Sequence, residues 1–281
     1  MSPGTLFLVA TPIGNLEDIT LRALRTLREV DLIAAEDTRH TRKLLTAHGI
    51  HAPLVSYHEH NAKIRGPKLV QALLAGKSVA LVTDAGTPSV ADPGFHLVRL
   101  AIAREIPVTV IPGASAVTSA LIASGLPVYP FLFLGFPPSQ PTARRAFFAR
   151  YAGARETLVL FESPRRLGAS LRDIRRIWGN RQAAVARELT KLHEELFRGT
   201  LDEAVERWPG ATRGEITLVV AGAPEEEREA DDSLLEQVRL RLESDPRPLK
   251  EIATEIAEQR GIGKRLVYQL ALKIKGESEG P

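Results

Sequence analysis

The chain contains no cysteine, which excludes disulfides, thiolate metal sites and a cysteine nucleophile. No apolar stretch approaches the ~20 residues needed to cross a bilayer. The opening residues, MSPGTLFLVATPIGN, carry no basic segment ahead of their short apolar run, so no secretory signal is expected and the cytoplasm is the expected compartment. The first βα loop is not G-x-G-x-x-G, which argues against a dinucleotide. G-x-x-x-x-G-K-[ST] is absent, which excludes ordinary P-loop chemistry. There are no internal repeats and no low-complexity tracts. What is present is ordinary for a soluble globular protein: 281 residues, 44% hydrophobic and 25% charged. That length suggests two domains, with room for a small third unit.

The net charge of +3 hides an uneven distribution. Residues 116–141 hold no charged side chain, and residues 142–182 hold ten arginines against three acids. From Gln259 to Gly276 there are five bases and no acid. Arginine presents a planar fork of donors, so an arginine-rich stretch suits phosphate recognition. The alternative is a solvated helix face.

Short buried runs alternate with helical periodicity through the first part of the chain. Strands are expected at 5–10, 31–36, 78–83 and 108–111. A single helix is expected from Leu16 to Val30, with Asn15 and Asp18 available to cap it. This alternation predicts a parallel sheet covered on both faces. A second unit begins near Pro127, with strands expected at 131–134, 157–161, 183–187, 193–198 and 215–220 and an arginine-rich helix at 164–178. Residues 223–232 read as a polar, acidic linker. Helices follow at 234–242, 249–259 and 264–274, the last two flanking Arg260-Gly261-Ile262-Gly263, a loose helix-turn-helix pattern. The expected domains are therefore 1–125, 126–222 and 233–281.

In such sheets ligands bind beyond the carboxyl ends of the strands, and three loops there stand out. Thr83-Asp84-Ala85-Gly86-Thr87-Pro88-Ser89, followed by Asp92-Pro93-Gly94, places an acid and then a glycine at a strand end. Pro112-Gly113-Ala114-Ser115-Ala116 opens a helix with small residues and free backbone N–H groups. Phe161-Glu162-Ser163-Pro164 is the third. Together they point to one ligand pocket. His58-Glu59-His60 would place two histidines on one strand face, but no further paired ligands are nearby and no metal is expected.

Taken as a set, these loops resemble the tetrapyrrole-methylase-like family. Within it the closer resemblance is to the small-subunit ribosomal RNA methyltransferase I group. The matching stretches are Leu8-Val9-Ala10-Thr11-Pro12-Ile13-Gly14-Asn15-Leu16, Ala35-Glu36-Asp37-Thr38-Arg39, Thr83-Asp84-Ala85-Gly86-Thr87-Pro88 and Pro112-Gly113-Ala114-Ser115-Ala116. They continue with Phe161-Glu162-Ser163-Pro164-Arg165-Arg166, Ala186-Arg187-Glu188-Leu189-Thr190-Lys191 and Gly214-Glu215-Ile216-Thr217. The resemblance implies two α/β domains with a cofactor cleft between them, plus a small helical C-terminal unit. It implies S-adenosylmethionine as cofactor, and 2′-O-methylation of a cytidine ribose in the decoding region of small-subunit ribosomal RNA. It implies a homodimer. By the same resemblance Pro12, Asp84, Gly86, Thr87, Ser115, Ala116 and Phe161 would line the cofactor site. The acceptor hydroxyl is a poor nucleophile, so a base or charge beside it would help. The candidates are Asp37, Glu162, Glu188 and Lys191, the lysine serving only if its pKa is depressed. Arg39, Arg165, Arg166 and Arg187, with Lys264 and Arg265 in the tail, would hold phosphates. Two other readings stand beside this one: a small-molecule methyltransferase of the tetrapyrrole branch, and a non-catalytic ribosome assembly factor.

Overall fold

The computed structural model describes residues 2–90, 94–224, 232–260 and 263–278. Asp92-Pro93, most of the expected linker and Gly261-Ile262 of the expected turn lie outside these residues. The chain separates into two compact units, Met1–Ala223 and Pro224–Pro281.

The first unit holds two five-stranded sheets. In the first, β1 (Leu6–Val9), β2 (Leu32–Ala35), β3 (Leu54–Ser56), β4 (Val79–Val82) and β5 (Val108–Ile111) run parallel in the order β3-β2-β4-β1-β5. Alternate residues of β1 serve opposite faces. Leu6 and Leu8 pack with Leu69, Val70 and Leu73 of α3 (Ala62–Leu74) and Leu97 of α4 (Gly94–Ile102). Val9 packs on the other face with Ala23 and Leu27 of α1 (Leu21–Glu29) and Leu45 of α2 (Thr38–Ala47). Burial on both faces is why β4 reads Val-Ala-Leu-Val without alternation.

Two local expectations are corrected. The helix expected from Leu16 is broken: Leu16–Asp18 is a 3₁₀ turn capped by Asn15, and α1 starts afresh at Leu21. Ile19 and Thr20 are extended between them, and the Thr20 hydroxyl accepts from the Ala23 N–H at 3.1 Å. That cap creates a new helix start where periodicity alone suggested continuity. His58 and His60 do not lie on a strand. β3 ends at Ser56, and Asn61 Oδ1 accepts from the His58 N–H at 3.0 Å, closing a turn.

The second sheet is mixed. β6 (Phe131–Phe133) runs parallel to β7 (Thr157–Glu162). β8 (Gln182–Arg187), β9 (Glu195–Thr200) and β10 (Ile216–Val220) complete the order β6-β7-β10-β8-β9 with antiparallel pairings. One face is covered by α6 (Pro141–Arg150), α7 (Leu167–Trp178) and α8 (Leu201–Arg207), through Phe148, Leu171, Ile174, Trp178 and Leu201. The other face is covered by α5 (Ala116–Ser124). This helix follows the last strand of the first sheet, yet it packs Val117, Ala120 and Leu121 onto Val159, Ala184, Ala186 and Val219 of the second. α5 thus joins the halves and brings the carboxyl end of β5 against the second sheet.

The second unit has its own core. α9 (Asp232–Ser244), α10 (Leu249–Arg260) and α11 (Lys264–Ser278) bury Val238, Ile252, Ile256, Val267, Ala271 and Ile274 together. No helix among the described residues is long and apolar enough to cross a membrane.

Candidate active site

The loops at the carboxyl ends of β1 and β4 are stitched to each other. Thr11 and Gly86 exchange backbone hydrogen bonds at 2.9 and 3.1 Å, and the Thr11 hydroxyl donates to the Thr83 carbonyl at 3.1 Å. Gly86 holds φ at +81°, the left-handed region that glycine enters without a steric cost. Its turn opens a cavity of about 430 Å3, within the range of small-molecule sites. The cavity is bounded by the 83–87 loop, the start of α5 and the ends of β7 and β10. Asp84, Gly86, Thr87, Ser115, Ala116 and Phe161 all line it, as does Glu162. The Phe161 ring packs edge-on to Phe133 at 5.0 Å and tilted against Phe136 at 5.2 Å, so one wall is aromatic.

Two residues outside the expected set shape this wall. Glu36, at the carboxyl end of β2, accepts from the Thr83 hydroxyl at 2.6 Å and so fixes the residue before Asp84. An acid directly after a buried strand was the available signal. Glu215 also lines the cavity, immediately before β10. Burial pushes the Asp84 carboxyl above the usual range, assisted by the negative charges of Glu36 and Asp37.

Pro12 lies elsewhere. It lines a second, adjoining cavity with His40, Lys43 and Lys191 rather than the first. Thr11, the residue before it, is the one bridged to Gly86.

The four expected base candidates are each occupied. Asp37 caps α2, accepting from the Arg39 N–H at 2.8 Å, and its hydrogen-bonded pair with the Arg39 guanidinium holds its carboxyl down at about 2. Glu162 is buried and saturated. It pairs with Arg166 at 2.8 Å, and accepts from the Ser163 N–H at 2.6 Å and from the Ser170 hydroxyl. Glu188 accepts from Lys191 at 2.8 Å, which holds its carboxyl low. Burial pushes the Lys191 ammonium down, but its bonds to Glu188 and to Glu215, the latter at 3.1 Å, outweigh this and hold it above the usual lysine range. A lysine so paired is a poor base. It holds the loops instead: a Cβ on Gly14 would stand 2.4 Å from Lys191 Cγ.

Many of the ten arginines within 142–182 serve the fold. Arg144 is buried against Asp173, Arg166 pairs with Glu162, and Arg175 pairs with Asp202. Arg172 donates to the Pro209 carbonyl, and Arg181 is buried, donating to Trp178, Ala152 and Ala221 carbonyls. Arg145, Arg150, Arg155, Arg165 and Arg176 remain exposed. Of the other phosphate-binding candidates, Arg39 is exposed beside Asp37 and Arg187 pairs with Glu195 at 2.7 Å. Lys264 and Arg265 are exposed at the start of α11 in the second unit.

The tetrapyrrole (corrin/porphyrin) methylase model matches residues 5–205. The chain is 48% identical over 273 residues to the ribosomal RNA small subunit methyltransferase I of Halalkalibacterium halodurans, covering 95% of this chain and 94% of that one. It is 46% identical to the protein of the same name from Pseudomonas aeruginosa, covering 99% and 100%. Among solved structures, uroporphyrin-III-C-methyltransferase from Thermus thermophilus is similar in fold, with a TM-score of 0.56 at 22% identity over 77% of this chain and 94% of that one. Diphthine synthase is similar with a TM-score of 0.59 at 17% identity over 78% and 90%.

Proposed function

The chain belongs to the tetrapyrrole methylase family, and from that premise we propose that it methylates small-subunit ribosomal RNA, at the ribose 2′-hydroxyl of a cytidine in the decoding region. The observation that carries this reading is the near-full-length identity to relatives named for that activity. The cleft geometry is consistent with it: an aromatic and carboxylate-lined cavity opens beside a second one with a basic rim.

The first cavity fits S-adenosylmethionine. Phe161 and Phe136 offer flat apolar surface for an adenine ring, and the 83–87 backbone, bare at Gly86, permits close approach. Ser115 and Ala116 present N–H groups at the start of α5. Asp84 and Glu36 supply negative charge that suits a cationic ligand. When bound, the donor supplies a methyl group already activated on a sulfonium. What remains for the chain is positioning in a water-poor site, with reacting atoms brought to ~3–3.5 Å, and removal of one proton. Asp84 is the carboxylate suited to take that proton. It lines both cavities and its proton affinity is raised, whereas Asp37, Glu162 and Glu188 are tied to cations.

The chain acts where ribosomal subunits assemble, in the cytoplasm, and as a homodimer. The uncharged stretch 116–141 exposes Ile122, Val128, Tyr129 and Phe131, an apolar surface suited to a second copy. Sedimentation equilibrium would give twice the 30.7 kDa chain mass, and a monomer mass at micromolar protein would contradict the dimer.

Labelled methyl transfer tests the function. Label should pass from S-adenosylmethionine to the RNA of unmethylated small ribosomal subunits. Transfer to a free tetrapyrrole but not to subunits would overturn the reading.

A further inference from the structure

Beside the cavity that fits the methyl donor lies the second, of about 410 Å3. His40, Thr41, Lys43 and Leu44 of α2 form one wall, and Thr11–Gly14, Leu16 and Lys191 form much of the rest. The two cavities share Ile13, Thr83, Asp84, Ala85 and Glu215. The Asp84 side chain therefore stands in a wall common to both.

The basic groups of the second cavity differ in how they are paired. Lys191 is neutralised within the fold by Glu188 and Glu215. His40 and Lys43 are exposed; His40 stands within electrostatic reach of Asp84, whereas Lys43 makes no ion pair among the described residues. Three residues apart on a helix, their Cβ atoms are ~5–6 Å from each other on one side of α2. A cation with no internal partner at a cavity rim is available to an anionic ligand, whereas a paired one must first be released. Thr41 lies between them in sequence and also lines the cavity. It is only 2% exposed, and its Oγ1 has no hydrogen-bond partner among the described residues. A buried hydroxyl without a partner is an uncommon cost in a folded protein and marks a place where a ligand can complete the bonding.

We propose that the second cavity seats the acceptor nucleotide, with His40 and Lys43 gripping the phosphate beside its ribose. This rests on the ribosomal RNA methyltransferase reading. With the phosphate held at α2, the ribose faces the shared wall at Asp84 and Ala85, and its hydroxyl is directed toward the neighbouring cavity. The cavity is thus divided by role: charge at the α2 rim for the backbone, and the carboxylate in the wall for the reacting group. A phosphate contact of this kind fixes register and does not read sequence.

The experiment measures the affinity of the full chain for purified unmethylated small ribosomal subunits across a salt series, and separately its affinity for S-adenosylmethionine by calorimetry. Lys43→Glu should weaken subunit binding at least tenfold and reduce the salt slope by about 0.7 to 0.9, one phosphate contact. Lys43→Arg should restore both. Lys43→Ala should raise KM for subunits with little change in kcat, the signature of lost uniform binding. Lys68→Glu, the same charge change on the exposed surface of α3, should leave subunit affinity unaltered. Donor affinity should stay at the wild-type value in every variant, which also shows that each is folded. Wild-type subunit affinity and slope in Lys43→Glu would overturn the proposal, as would loss of donor affinity or an equal loss in Lys68→Glu. Failure of the unaltered chain to bind subunits would remove the reading on which the proposal rests, a result distinct from all of these.

Discussion

The backbone N–H of Asp37 donates to Oδ1 of Asp84 at 3.0 Å, tying the start of α2 to the carboxyl end of β4. One carboxylate is thereby held beside two others, Glu36 and Asp37, in a half-buried position. A carboxyl whose pKa is raised on folding takes up a proton between its unfolded and folded values. Its penalty is absent below the unfolded value near 3.8 and fully present above the folded one, so this group makes stability fall as pH rises through that window. Asp84→Asn removes the penalty. The variant should melt above the wild type at pH 7, converge with it below pH 4, and lose at least tenfold in kcat while still binding donor. Thermal melts against pH check the first part; an unchanged difference between wild type and variant across that range would contradict it.

Asp84→Arg places a long cation where a sulfonium ligand is to sit. Affinity for S-adenosylmethionine should fall at least tenfold, about 1.4 kcal/mol or more. Calorimetry on the folded variant measures it. Unchanged affinity would show that the donor does not bind against this loop.

The second unit buries its own core, and the donor cavity is built wholly from residues of the first. A chain ending at Ala223 should therefore fold and bind donor as the full chain does. Its exposed Lys264 and Arg265 gone, it should need higher concentrations of small subunits for half-maximal methyl transfer. Activity equal to the full chain at low subunit concentration would make the tail dispensable for RNA capture. Loss of donor binding would make it part of the core.

Much of the site was legible because its signals are local. Glycine and proline after a buried four-residue run mark a strand end, and strand ends in a parallel sheet are where ligands bind. That reasoning located Asp84, Gly86, Thr87, Ser115 and Ala116 on one cavity. What depends on which partner a side chain finds was not legible. Lys191 is held by Glu188, three residues before it, and by Glu215 in the loop ahead of β10, and Glu162 by Arg166, four residues on, and by Ser170 of α7. Neither pairing is written in residue type. Within the arginine-rich stretch, residue type alone does not separate Arg144 and Arg181, consumed inside the fold, from Arg145 and Arg165, which stay exposed. Pro12 lines the adjoining cavity next to the Thr11–Gly86 bridge, a pairing that no periodicity reveals. The break in the first helix turned on one hydroxyl, that of Thr20, closing an N-terminus where the apolar spacing ran on.

The most direct test of the account is the chemical identity of the methylated product. Unmethylated small subunits would be incubated with the full chain and labelled S-adenosylmethionine, the RNA digested to nucleosides, and the labelled species identified by mass spectrometry. The account predicts 2′-O-methylcytidine carrying the label, and its loss in Asp84→Arg. A label on a nucleobase, on ribosomal protein, or absent from the subunit altogether would contradict it.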